Sequence, residues 1–85
     1  MPWNETSARR LGAVVRRLRG ERGLSQEALA FRAGVTKNQV QLIEAGRASG
    51  RRDNDGPSNP KLATLVGIAD VLDITVEELA RRSEL

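Results

Sequence analysis

An all-α fold of five short helices in one domain is the class this sequence predicts, on three observations. Apolar residues recur at spacings of three and four, as in Leu11, Val15 and Leu18, which places them on one helical face. The first three stretches that carry them open on Ser or Thr and close on Gly, the residues that cap helix starts and ends. Tyr is absent and Trp3 and Phe31 are the only aromatics, so aliphatic helix packing must supply the cohesion and an all-β chain is disfavoured.

Taken in order, residues 1–6 read as an N-terminal arm, after which Ser7 is expected to cap a first helix that runs to Arg22 and stops at Gly23. Gly12 and Gly20 inside it each cost roughly 1 kcal/mol relative to alanine, so the helix leans on tertiary packing, and Gly12 offers a close helix approach. Ser25 caps a second helix from Gln26 to Arg32 or Ala33, with Leu29, Ala30 and Ala33 inward and Gly34 in the turn that follows. Thr36 and Gln39 form a T-x-x-Q capping box, which starts the third helix at Lys37. It runs to about Ala45 with Val40 and Ile43 inward, and Gly46 stops it.

Residues 47–60, RASGRRDNDGPSNP, have no apolar period and read as a mobile surface loop. Beyond Pro60, Leu62, Leu65, Ala69 and Leu72 are expected to line the inner face of a fourth helix, ended by Asp73 in a left-handed conformation. Thr75 and Glu78 suggest a second capping box for a last helix from Val76 to about Arg82, with Val76 and Leu79 inward.

With 85 residues the chain has room for one domain, which buries about 60 to 65% of its unfolded surface. It contains no cysteine and no histidine, which removes disulfides, thiolate zinc sites, cysteine nucleophiles and histidine general bases. Glu21, Glu27 and Glu44 have no catalytic constellation around them, so no enzyme is expected, nor any cofactor, metal or small-molecule ligand. The DNDG stretch at residues 53–56 resembles the opening of a calcium loop but lacks the spaced Glu and further oxygen ligands. No signal-peptide core is visible and no apolar stretch approaches the roughly 18 residues of a membrane span, so a soluble cytoplasmic protein is expected.

The net charge of +3 conceals a division. Residues 1–52 hold eleven Lys/Arg against four Asp/Glu, and residues 53–85 hold three against seven. The first part suits a polyanion, although charge alone fits solvated helix faces equally well.

What gives the charge a meaning is the pair of short helices over residues 25–46, joined by a Gly-containing turn, a geometry that lets a helix end enter a groove about 12 Å wide. GLSQEALAFRAGVTKNQVQLIEAG, from Gly23 to Gly46, resembles the Cro/C1-type (XRE) helix-turn-helix family of phage, plasmid and bacterial regulators. The likeness continues through LGAVVRRLRGERG at 11–23 and NPKLATLVGIADVLDITVEEL at 59–79. It implies a compact five-helix, lambda-repressor-like domain whose third helix reads double-stranded DNA. It also implies a transcriptional regulator, most simply a repressor, acting as a homodimer on a pseudo-palindromic operator with half-sites about 34 Å apart.

The resemblance assigns roles by position. Gln26 matches a phosphate anchor at the start of the second helix. Thr36, Lys37, Asn38 and Gln41 match the groove-facing set: Lys37 for guanine, Asn38 for adenine, Thr36 and Gln41 for phosphate or base. Gln39 either completes the cap or reaches the DNA backbone. Leu42 departs from the usual polar residue and is expected to meet a thymine methyl. Arg47, Arg51 and Arg52 follow the recognition helix, where they either extend the phosphate footprint or sit in a solvated loop.

Phe31 occupies a position usually charged in the family, aromatic in a subset that includes restriction-modification controllers, and core packing is its expected role. Val66, Val71 and Leu85 either form the two-fold dimer contact or are ordinary, partly buried residues. Two rival readings stay open. One is an antitoxin or controller that also binds a protein partner, favoured by an exposed apolar patch at Val14 or Phe31. The other is an interaction adaptor without DNA binding, against which the basic first half argues.

Overall fold

The computed structural model describes residues 3–48 and 56–84 of the chain. Five helices form in the expected order: α1 Glu5–Glu21, α2 Gln26–Ala33, α3 Lys37–Ala45, α4 Leu62–Val71 and α5 Val76–Arg82. Their punctuation follows backbone chemistry. Gly23, Gly34 and Gly46 have φ of 65, 74 and 71°, the left-handed conformation that ends a helix without Cβ strain. Asp73 takes the same role after α4 at φ 60°.

The start of α1 differs from expectation. Asn4, not Ser7, is the N-cap: its Oδ1 accepts the Ser7 backbone N–H at 3.0 Å, and the helix begins before Ser7, which is buried in the first turn. Asn is at least as good a cap as Ser, and Glu5 just inside the helix adds a favourable dipole interaction. The described end of the arm is docked as well. The Trp3 indole N–H donates to the Ser58 carbonyl, and the ring packs at the edge of the core.

The core is aliphatic, with Leu11, Val15, Leu29, Val40, Ile68 and Leu79 essentially excluded from solvent. Helix α3 packs on α1 and α2, α4 packs on α2, and α5 touches both α1 and α4. Two glycines set the closest approaches. A Cβ on Gly12 would lie 2.3 Å from the Ile43 carbonyl oxygen, and one on Gly67 would lie 2.5 Å from that of Ala33. Helix α3 is thereby seated against α1, and α4 against the end of α2, at distances no side chain permits.

Two apolar expectations need correction. Phe31 is 85% exposed, because Leu29, Ala30 and Ala33 form the inward stripe of α2 and put Phe31 on the opposite face. Leu62 is 68% exposed: as the first residue of α4 its side chain leans back past the helix end, and the buried stripe is centred on Ile68 with Ala69 and Leu72. Val14, one of the two places where an exposed apolar patch would favour a protein partner, is buried and offers none.

The second capping box is half formed. Thr75 Oγ1 accepts from the Glu78 N–H at 3.0 Å, but the Glu78 carboxylate turns to Arg82 at 2.9 Å and to Arg81 instead of returning to the cap. Those two hydrogen bonds, Arg82's first, hold the Glu78 carboxyl below its usual pKa. The ends of the 47–60 loop are also more ordered than its composition suggests. Arg47 and Pro57 form an antiparallel bridge, Ala48 N–H donates to the Gly56 carbonyl at 2.8 Å, and Ser58 N–H donates to that of Gly46 at 3.1 Å. Arg51, Arg52 and Leu85 lie outside the described residues.

Candidate nucleic-acid interface

The tip of α3 is built by its cap. Thr36 Oγ1 accepts the Gln39 N–H at 3.1 Å, while Gln39 Oε1 accepts the Thr36 N–H at 2.8 Å, so both halves of the box are made. Gln39 therefore serves the cap, and the first turn of α3 is held open to solvent in a fixed direction. Lys37, Asn38 and Gln41 are all exposed, with Leu42 half-buried beside them. Lys37 with Gln41, and Asn38 with Leu42, are one turn apart and form a continuous outward face.

Two depressions flank that face. One, between α1 and α3, is lined by Arg16, Arg19, Gln26, Gln41, Glu44 and Ala45. It brings together two residues singled out in the sequence, Gln26 and Gln41, with a cation the sequence did not single out, Arg16. The other runs between α3 and the start of α4 and includes Gln39, Leu42 and Arg47 together with Lys61 and Thr64. Lys61 is the N-cap of α4 and makes no side-chain cap, so the first N–H groups of that helix end at this depression without one. The structure thus divides the site into an exposed tip and two polar edges.

The electrostatics favour an anion. Among the described residues, Arg16 and Lys37 have no carboxylate within ion-pairing distance, whereas Arg9, Arg10, Arg17 and Arg22 do. The one carboxylate in the α1–α3 depression, Glu44, is neutralised: Arg19 donates from Nε to Oε2 at 2.7 Å and from Nη2 to Oε1 at 3.0 Å. The hydrogen bond to Glu44 raises the Arg19 pKa further, so the cation persists at any physiological pH. This pair joins residues 25 positions apart, and no local pattern announces it.

The residues assigned to dimerisation are dispersed. Val66 is half-exposed on α4, near Leu62, while Val71 is partly buried against the core. Leu62 and Val66, one helical turn apart, are the exposed large apolar residues of α4. Among the described residues no helix is long and apolar enough to cross a membrane.

Comparison with known proteins bears on the fold and the family. Among solved structures, the restriction-modification controller protein C.AhdI from Aeromonas hydrophila is 35% identical, with 85% of this chain and 94% of that one covered at a TM-score of 0.66. A SinR protein/SinI protein complex matches at 32% identity and a TM-score of 0.64, with 81% of this chain covering 58% of the other. ClgR, a clp gene regulator from Corynebacterium glutamicum, shares the fold at 18% identity and a TM-score of 0.71, with 92% of this chain and 72% of that one covered. No curated protein sequence matches. The model of the helix-turn-helix domain family matches residues 10–82, and the chain belongs to that family, with regulators of the XRE type as its structural neighbours.

Proposed function

We propose that this protein is a sequence-specific, double-stranded DNA-binding transcriptional regulator that represses by occluding a promoter. The observation that carries the reading is the exposed, capped tip of α3, bearing Lys37, Asn38 and Gln41 beside a depression that Arg16 and Gln26 both line. A helix end of this size enters the major groove, where Lys37 suits guanine O6/N7 and Asn38 suits adenine N6/N7. Leu42 beside Asn38 offers a methyl contact to thymine. Gln26, Thr36 and Arg16 serve backbone phosphates, and Arg47 with Arg51 and Arg52 extends that footprint past the end of α3. Gln39 is engaged in the cap and has its amide NH2 left for the backbone.

One short recognition helix reads only a few base pairs, so the active species is a homodimer spanning two half-sites. Leu62 and Val66 on α4, with Val71 and Leu85, are its proposed contact. Catalysis plays no part, and the protein acts in the cytoplasm on the nucleoid.

Selection from a random duplex pool, followed by titration of the enriched sequence at two salt concentrations, tests the proposal. Enrichment of a pseudo-palindrome bound with a steep salt slope is expected. An unenriched pool, or binding indifferent to salt, overturns it.

A second reading, a regulator whose DNA binding is controlled by a protein partner, is favoured by the exposed Phe31. The similar C.AhdI is a restriction-modification controller, and the similar SinR was solved in complex with SinI. Co-purification of a stoichiometric partner that is lost on Phe31→Ser supports this reading, and retention of the partner by that variant removes it.

A further inference from the structure

We propose that Glu44 is a positioning residue for DNA binding, acting through Gln26: its carboxylate fixes which end of the Gln26 carboxamide faces a DNA backbone phosphate. The inference rests on the DNA-binding reading above and adds to it a residue that does not itself touch DNA.

The geometry starts at Glu44, whose side chain is only 4% exposed. It accepts three hydrogen bonds: two from Arg19, at 2.7 and 3.0 Å, and one from Gln26 Nε2 to Oε1 at 3.1 Å. Arg19 is anchored in turn by Nη1, which donates to the Leu24 carbonyl at 2.8 Å in the turn that leads into α2. The carboxylate is thus held from two sides, and its position relative to the start of α2 is set by the same guanidinium that neutralises it.

A carboxamide presents an acceptor at one end and two donors at the other, in nearly the same shape. Free in solvent, Gln26 meets an approaching phosphate with either end, and the carbonyl end is repelled. An ionised carboxylate accepts only, so Glu44 admits a single orientation: the NH2 group toward α3. One of its protons is committed to Glu44. The other points away from that bond, available to a phosphate that already gains from the N–H groups at the start of α2 and from Arg16 across the depression. Because Arg19 offsets the charge of Glu44, the orienting group does not repel the phosphate it serves.

Retaining the charge while retracting the carboxylate isolates this role. Glu44→Asp keeps the anion for Arg19 but withdraws it by one methylene from Gln26. Affinity for a non-specific duplex is measured at fixed low salt for the wild type, Glu44→Asp, Gln26→Ala and the double variant, each first shown folded by circular dichroism. The expected result is that Glu44→Asp weakens binding about tenfold when Gln26 is present, roughly 1.4 kcal/mol, and less than about twofold in the Gln26→Ala background. A purely structural role for Glu44 gives the same loss in both backgrounds, and that result, or no loss in either, overturns the assignment.

If Glu44→Asp does not fold, the side-chain amide of Gln26 in the wild type reports by nuclear magnetic resonance. Of its two proton signals, one stays fixed and the other shifts when duplex is added. Equal shifts of both, or a shift of neither, overturn the assignment. A wild-type protein that binds no duplex at low salt overturns the regulator reading and this one together, and shows itself before any variant is made.

Discussion

Replacing Gly12 with alanine adds one methyl group where α1 meets the backbone of α3, and the structure fixes what that methyl encounters. It would lie 2.3 Å from the Ile43 carbonyl oxygen, 2.7 Å from that of Glu44 and 2.9 Å from the Glu44 carbonyl carbon. Ordinary contact begins near 3.4 Å, so the two helices must separate by about 1 Å. Overpacking costs about 1–3 kcal/mol, and obstacles made of backbone push this case to about 3. The gain in helix propensity on leaving glycine returns roughly 1 kcal/mol. The net loss of about 2 kcal/mol lowers Tm by about 8–16 °C in a domain of this size.

Gly20 supplies the control, because it lies in the same helix and a Cβ there meets nothing within 4 Å. Gly20→Ala is expected to raise stability by up to about 1 kcal/mol, or about 4–8 °C. Thermal melts followed by circular dichroism at 222 nm read both variants. A Gly12→Ala protein as stable as the wild type would refute the reasoning, since the approach of α3 is what obstructs a Cβ at Gly12 and leaves one at Gly20 open.

Phe31→Ser is expected to change stability by less than about 0.5 kcal/mol, against the roughly 3–5 kcal/mol lost when a core aromatic is truncated. A urea titration separates these outcomes. For DNA, Asn38→Ala is expected to relax preference at one base pair, with about 1–3 kcal/mol of discrimination lost and non-specific affinity kept. Arg52→Ala instead weakens all sequences alike and lowers the salt slope, and equal losses on operator and random duplex for Asn38→Ala count against its assigned role.

Acid titration tests Glu78. Its folded pKa is depressed, so the stability it contributes is present above the ordinary carboxylate value of about 4.3 and disappears as pH falls toward its folded value. The Tm difference between wild type and Glu78→Gln should therefore be constant near neutral pH and shrink in strong acid. A difference independent of pH contradicts the pairing with Arg81 and Arg82.

Much of the architecture was legible because it is written in local chemistry. Caps at Ser25, Thr36 and Thr75, stops at Gly23, Gly34 and Gly46, and the left-handed Asp73 act within a few residues, and each was found where its side chain or its freedom of φ required. The misreadings share a different origin. Ser7 and Asn4 are both competent caps three residues apart, and only the fold decides between them. Phe31 is apolar, yet the periodicity of Leu29, Ala30 and Ala33 already excluded it from the inner face, so residue type outweighed register. Leu62 failed for the opposite reason: its spacing suited the stripe, but its place at the helix end took it past the core.

In the candidate interface, the shared exposure of Thr36, Lys37, Asn38 and Gln41 was readable from one capped helix. The Arg19–Glu44–Gln26 network was not, because each member comes from a different helix, and the partners are 18 and 25 positions apart. Arg16 was equally hidden in a run of arginines until packing placed it in the depression that Gln26 also lines. Local rules thus reach the parts of the site that one helix builds.

The hydrogen-bonded closure of residues 46–48 on residues 56–58 has an engineering consequence. With Gly46, Arg47 and Ala48 joined to Ser58, Pro57 and Gly56, the two chain ends meet before the intervening residues begin. Whatever is inserted between them inherits a ready-made closure, and each doubling of its length costs only about 0.6 kcal/mol in entropy. A segment exchanged between residues 48 and 56, be it a peptide tag, an epitope or extra basic residues, is therefore expected to leave the helices that flank the closure unchanged.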